Sequence, residues 1–157
     1  MNEQTLEDYL IYIVMKYGGK WNEIEDNIYK LHEQEEEELK LKFQGDDYYY
    51  VKRTDWFAKF SSFITPLFDE FCTDKNRVYG GKNRTSFGFP LKFAGIEKPV
   101  ETSVILKNKN RAEVFVKTDT NFSDEYLFIL LKKAGLWKID SYKNRRYRSE
   151  KWSLMIL

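Results

Sequence analysis

The sequence YLFILLKKAGLWKIDSY, residues 126–142, decides the fold class of this protein. It predicts two strands, 125–132 and 136–142, because both segments are rich in aromatic and aliphatic residues. Gly135 lies between them and supplies the turn that a hairpin needs. Two strands joined by so short a connection pair antiparallel, so we expect an antiparallel sheet in this half of the chain.

Three neighbouring segments extend the series of predicted strands: 100–107, 112–118 and 151–157. In RAEVFVKT, residues 111–118, aliphatic residues occupy every second position from 112 to 116. This is the period of two of a half-buried antiparallel strand. We expect Ala112, Val114 and Val116 on one face and Glu113, Phe115 and Lys117 on the other. Four or five sequential strands of this kind predict a meander.

A broad apolar stripe N-terminal to these strands predicts the main core helix. Its residues recur at steps of three and four: Trp56, Phe60, Phe63, Ile64, Leu67, Phe68 and Phe71. Pro66 lies within the stripe, so the helix either kinks there or restarts with Thr65 as its cap. The apolar face of the sheet must be covered, and this stripe is the expected cover. The predicted fold class is α+β, with N-terminal helices packed on a curved antiparallel sheet.

The first fifty residues predict two helices and a short hairpin. Residues 6–17 have the pattern of an amphipathic helix, which we expect to stop at Gly18–Gly19. Asn22 is a suitable cap for a second helix that runs into an acidic segment. LKLKF, residues 39–43, alternates like a strand, and we expect it to pair with residues 48–51.

Length and composition indicate one domain, 1–157, with a helical, acidic extension at 1–53 and the main α+β core at 54–157. Of the 157 residues, 42% are hydrophobic and 17% aromatic, which is enough to bury a sizeable core. The apolar run 10–15 is far shorter than the ~20 residues of a membrane span. The acidic N-terminal sequence does not have the pattern of a signal peptide, so we expect a cytoplasmic protein that binds no membrane.

Few residues carry recognisable enzymatic chemistry. The sequence has one histidine, His32, and one cysteine, Cys72, which excludes an internal disulfide and a zinc site built from Cys and His. We expect His32 to be a solvated helix residue and Cys72 a buried structural thiol. We therefore predict no catalytic residue, no metal and no cofactor.

The charge is distributed unevenly along the chain. Residues 1–50 contain 13 Asp or Glu and 5 Lys, a net charge of −8, whereas residues 51–157 contain 12 acidic and 21 basic residues, a net charge of +9. A formal net charge of +1 therefore conceals two fields of opposite sign. Such fields steer charged partners rather than determine a fold.

Five phrases of the sequence resemble bacterial immunity proteins of the nuclear transport factor two-like fold. They are FCTDKNRVYGG (71–81), TSFGFP (85–90), RAEVFVKT (111–118), YLFILLKKAGLWKIDSY (126–142) and EKWSLMIL (150–157). The resemblance covers residues 65–157 and implies a cone-like roll in which the sheet curls around its helices. It also implies a non-catalytic protein of a polymorphic toxin system, which neutralises a cognate toxin by binding it directly.

One open end of such a cone forms a pocket, which other members of the fold fill with ligands or catalytic groups. Here we expect aromatic side chains to fill it, drawn from Phe87, Phe89, Phe115, Tyr126, Phe128 and Trp137. The alternative is a small-molecule-binding protein, or an isomerase- or dehydratase-like enzyme that uses Asp140 with Tyr126 or Tyr142. The pocket candidates for that alternative are Tyr126, Trp137 and Asp140.

An acidic segment supplies the candidates for toxin binding. They are Glu33, Glu35, Glu36, Glu37, Glu38, Asp46 and Asp47. These carboxylates could imitate nucleic-acid phosphates and occupy the basic cleft of a nuclease toxin. The simpler interpretation is a solvated face that keeps the protein soluble.

A basic segment near the C-terminus supplies the third alternative, a nucleic-acid-binding module. Its cations are Lys143, Arg145, Arg146 and Arg148, with aromatic residues interleaved. Cations between edge strands also prevent sheets from pairing, so nucleic acid is not the partner we expect. Whether exposed strand edges pair into a homodimer stays open.

Overall fold

A computed structural model describes residues 2–77, 80–82, 86–147 and 149–157. Its elements are α1 (Glu3–Lys42), α2 (Asp46–Tyr50), α3 (Trp56–Phe71), β1 (Glu101–Asn108), β2 (Arg111–Lys117), β3 (Glu125–Lys133), β4 (Leu136–Arg145) and β5 (Ser153–Met155). The strands form one antiparallel sheet in the order β1-β2-β3-β4-β5, which is not closed into a barrel. The predicted α+β class and the strand meander are confirmed.

The predicted hairpin is present, and residues 134–135 form the turn between β3 and β4. Ala134 and Gly135 have φ of 51° and 79°, and two successive residues with positive φ connect strands with the right-handed twist of a hairpin. On β2, Ala112, Val114 and Val116 share one face, as predicted, and this is the buried face. The last strand is shorter than expected, since β5 pairs with β4 through only three residues.

Helix α1 is continuous over 40 residues, so the predicted break at Gly18–Gly19 is wrong. Gly18 permits close packing: a Cβ there would lie 2.5 Å from Cδ1 of Ile96. Burial along the helix outweighs the roughly 1 kcal/mol that each interior glycine costs relative to alanine. Among the described residues, no helix is long and apolar enough to cross a membrane.

The predicted hairpin at residues 39–51 is also wrong. Residues 39–42 complete the last turn of α1, and Phe43 N donates to Leu39 O over 2.9 Å as a helical cap. Residues 48–50 belong to the short helix α2. The alternation in LKLKF is short enough to fit one helical turn as well as a strand. Contacts with side chains outside the segment decide between strand and helix.

Helix α3 contains the predicted apolar stripe, whose residues are buried except for Phe63, which is 57% exposed. Asp55 caps it by accepting from Ala58 N over 3.0 Å. Pro66 lies inside the helix, and Thr65 Oγ1 donates to Ser61 O over 2.6 Å, so Thr65 is an interior residue rather than a cap. The stripe packs mainly on α1, and α1 is the helix that packs on β1, β2 and β4. The expected cover of the sheet is therefore supplied mainly by α1.

Phe93 is the centre of the core, although it belongs to an irregular segment between α3 and β1. It is completely buried, and its ring lies 5.1–6.0 Å from the rings of five other aromatic residues: Tyr17, Trp21, Tyr126, Phe128 and Tyr142. These rings join α1 to β3 and β4. Two residues expected to fill the interior lie elsewhere: Phe89 is 74% exposed, and Phe115 packs against Trp152.

Candidate functional site

Two buried polar residues of α1 hold Phe93 in place. Asn22 Nδ2 donates to Phe93 O over 2.7 Å, and Phe93 N donates to Asn22 Oδ1 over 3.1 Å. Glu25 accepts from Gly88 N over 3.0 Å and from Lys92 N over 2.7 Å. Burial raises the pKa of Glu25, and these backbone N–H groups oppose that rise. The irregular segment that carries Phe93 is therefore fixed on α1, and the Phe93 ring packs beneath the sheet.

Lys92 brings a cation to the same interior. Its Nζ lies 4.4 Å from the ring centroid of Trp21 and within 5.7 Å of the centroids of Phe93 and Tyr142. Burial lowers the pKa of Lys92 to about 8, because desolvation penalises the charged ammonium. Aromatic rings and the Lys92 ammonium thus lie together in this part of the interior.

The three pocket candidates do not converge on one reaction centre. Tyr126 Oη donates to Ala94 O over 2.8 Å, within the buried core. Asp140 lies at a β-bulge in β4 and accepts from Thr73 Oγ1 and Lys75 Nζ, each over 2.8 Å. Trp137 is half-buried at the start of β4 and packs against the core. Asp140 and Tyr126 therefore have separate hydrogen-bond partners.

A cleft of about 660 Å³ lies between the end of α3, the loop after it and the β3–β4 turn. Its cationic lining comprises Lys75, Arg77, Lys82, Lys133 and Lys138. Two of these cations form ion pairs, Lys75 with Asp140 and Lys82 with Asp69. Sequence reasoning missed this cleft because its residues come from three separate segments that only the tertiary fold brings together.

Two arginines of the basic segment, Arg145 and Arg146, bind acidic side chains of the same chain. Arg145 pairs with Glu125 over 3.0 Å, and Arg146 pairs with the buried Asp124 over 2.7 Å. Arg145 also lies 4.1 Å from the ring centroid of Trp152. Lys143 is half-buried on β4, and Arg148 lies outside the described residues. Two of the four cations expected to meet nucleic acid are thus paired with carboxylates of the same chain.

The acidic candidates divide into two groups, and the first is structural. Glu35 accepts from Thr54 N and Trp56 Nε1, each over 3.1 Å. Glu36 accepts from Tyr48 Oη over 2.7 Å and from Arg53 Nε. Hydrogen bonds from Thr54 hold the pKa of Glu35 below its usual range, and those from Arg53 do the same for Glu36. Both carboxylates fasten the α2–α3 segment to α1.

The second group of acidic candidates faces solvent. Its exposed members are Glu33, Glu37, Glu38, Asp46 and Asp47. The last four lie where α1 ends and α2 begins, and we call them the acidic corner. Because they are exposed, they are available to a partner in a way that Glu35 and Glu36 are not.

The two residues that most often signal enzymatic chemistry have packing roles. His32 is half-buried, with its ring 5.7 Å from that of Phe87, so the expectation of a solvated histidine is only partly met. Cys72 is buried, and burial raises its pKa to about 12, which makes it an unreactive structural thiol as predicted. Within the described ranges, no group of three or more His, Cys, Asp or Glu is placed to hold a metal ion.

Comparisons with known proteins agree with this architecture. Residues 47–155, from α2 to β5, match the family described as NTF2 fold immunity protein. The chain is 26% identical over 89 residues to Immunity protein RhsIA of Dickeya dadantii (strain 3937), a match that covers 57% of this chain and 64% of that relative. The chain thus aligns with slightly less than two thirds of the length of its curated relative. No solved structure matches it significantly. The family match spans most of the chain and confirms the resemblance seen in the sequence: this protein belongs to the NTF2-fold immunity protein family.

Proposed function

We propose that this protein neutralises a cognate bacterial toxin by binding it directly, without turnover, in the cytoplasm. Membership of the immunity family supports a toxin as the partner. The observation that carries the proposal is the filled interior, where Phe93 packs against rings from α1, β3 and β4. Since the interior is occupied by the protein's own side chains, recognition falls to the outer surface.

The acidic corner supports a basic toxin surface as the contact. Exposed carboxylates attract a positively charged partner and raise the rate of encounter, most strongly at low ionic strength. A toxin that binds nucleic acid would offer such a surface, because phosphate binding requires clustered Lys and Arg. In this proposal the carboxylates take the place of phosphates and keep the toxin from its substrate.

Co-expression with the product of an adjacent toxin gene tests the proposal. We expect the wild-type chain to restore growth of cells that produce the toxin, and the two purified proteins to form a stable complex. Failure to restore growth would overturn the proposal. Growth that returns without a complex would overturn it as well, because protection would then require catalysis or sequestration of the substrate.

A further inference from the structure

Three large apolar side chains lie exposed at the acidic corner. Leu41, near the end of α1, is 88% exposed, and Tyr49 and Tyr50 of α2 are 72% and 86% exposed. Single exposed apolar residues are common on protein surfaces, but a group of them surrounded by polar residues marks an interaction site. Here the three residues lie within ten positions of the sequence, on two consecutive helices.

We propose that Leu41, Tyr49 and Tyr50 form the apolar centre of the toxin interface and that the acidic corner forms its rim. We call these three residues the apolar patch. This inference rests on the proposed function and names the surface and the chemistry of the partner. The partner surface is rich in Lys and Arg, with an apolar recess that receives the two tyrosine rings.

The charges and the rings select the same kind of partner. The carboxylates of the acidic corner would meet cations of the partner, and the exposed lysines Lys40, Lys42 and Lys52 offset their charge only in part. Tyrosine faces attract Lys and Arg through cation–π interactions, which strengthen as the site is desolvated. Carboxylates and tyrosine rings therefore both favour a basic surface, whereas an acidic or nucleic-acid partner would be repelled by the rim.

Hydrogen bonds within the chain preorganise the patch before any partner binds. Tyr48 Oη donates to Glu36, Arg53 Nη2 donates to Tyr48 O over 3.1 Å, and the Arg53 guanidinium lies 4.9 Å from the Tyr48 ring centroid. The Tyr49 ring packs edge-to-face on Tyr48 with centroids 5.5 Å apart. A surface held in this way loses less conformational entropy on binding, and tyrosines anchor interfaces because they bury much area with few rotamers.

Binding kinetics with the purified, catalytically inactivated toxin test this inference. We expect Tyr49→Ala/Tyr50→Ala to weaken the complex at least tenfold, mainly through faster dissociation, because buried anchors determine the lifetime of a complex. Tyr12→Ala is the matched control, since Tyr12 is 57% exposed on the opposite end of α1. Its affinity should stay within twofold of wild type.

A second substitution keeps the test decisive if the double variant is unstable. Tyr50→Arg changes one side chain that is 86% exposed and places a cation against the expected basic surface, so it should weaken binding by more than Tyr50→Ala. Wild-type affinity in both Tyr49→Ala/Tyr50→Ala and Tyr50→Arg would overturn this inference and leave the proposed function intact. A wild-type chain that does not bind the toxin would overturn the proposed function itself.

Discussion

Glu36 and Glu37 are neighbours in the sequence with opposite roles. The Glu36 side chain is 21% exposed and accepts hydrogen bonds from Tyr48 and Arg53, whereas Glu37 faces solvent. A carboxylate with such donors favours its charged form, and the pKa of Glu36 therefore lies below its ordinary value. Glu36 is a positioning residue for α2, and Glu37 belongs to the surface that we assign to the toxin.

Substitution of these two residues should separate the roles. We expect Glu36→Gln to lower the Tm by about 2–4 °C through loss of charge-assisted hydrogen bonds, and Glu37→Gln to leave it within about 1 °C. Because the pKa of Glu36 is depressed in the folded protein, its contribution to the free energy of unfolding is present at neutral pH. This contribution is lost as the pH falls below 4.5. Thermal unfolding at pH 7 and at pH 3.5 measures both effects, and equal losses for the two variants would contradict this assignment.

Lys92 shows how a buried cation affects stability. Its pKa is lowered to about 8 in the folded protein from an ordinary 10.5, so the unfolded chain binds the additional proton between these values. Stability should therefore rise with pH across this window. Lys92→Met removes the desolvation penalty, and we expect it to stabilise the protein at pH 7 by about 1–2 kcal/mol.

Urea unfolding of wild type and Lys92→Met at pH 7 and pH 9.5 measures this effect. The difference in free energy of unfolding between the two proteins should be smaller at pH 9.5. Lys92 is then mostly uncharged in the folded protein, so its burial costs less. A variant that is less stable than wild type at pH 7 would show instead that the cation–π contacts with Trp21 outweigh desolvation.

At the scale of elements, α1 shows why a local sequence pattern can misplace the end of a helix. A glycine pair followed by a capping residue is a typical helix end, yet Gly18, Gly19 and Asn22 all lie inside α1. Gly18 gives Ile96 room to approach, and Asn22 binds the segment that carries Phe93. Local propensity could not anticipate this because both partners are more than seventy residues away in the sequence.

The two adjacent glycines should respond to alanine in opposite directions. We expect Gly18→Ala to destabilise the protein by about 1–2 kcal/mol, because a Cβ would lie 2.5 Å from the completely buried Ile96. A Cβ on Gly19 would meet no neighbouring side chain within 4 Å, so Gly19→Ala should stabilise the protein by about 0.5–1 kcal/mol through helix propensity. Chemical denaturation gives both values, and a stabilising Gly18→Ala would contradict close packing at this position.

At the scale of the whole molecule, the acidic corner lies in the N-terminal part of the chain, whose first fifty residues carry a net charge of −8. The arginines of the opposite charge field are partly neutralised, since Arg145 and Arg146 pair with acidic residues of the same chain. In our proposal, the exposed carboxylates of the acidic corner are the charges that steer the toxin. Their effect acts before contact, so it appears in the association rate and its dependence on salt.

Charge removal at the acidic corner should slow association with the toxin. We expect Glu37→Gln/Glu38→Gln to reduce the association rate constant about three- to tenfold at low salt and to flatten its salt dependence. Glu3→Gln/Asp8→Asn removes the same charge from the other end of α1 and serves as the control. Stopped-flow association from about 20 to about 300 mM salt measures the slope, and equal slopes for the two variants would exclude the corner from steering.

The sequence by itself determined the α+β class, the strand meander, the apolar stripe of α3 and the acidic and basic segments, because each depends on residues close together in the chain. Tertiary structure decided which charges are available. Glu35 and Glu36 are held by residues 48–56, Arg145 and Arg146 meet Glu125 and Asp124, and Phe93 reaches the core through Asn22. Burial and pairing depend on contacts between distant segments, so a charged residue that reads as surface in the sequence becomes structural or functional only once the chain has folded.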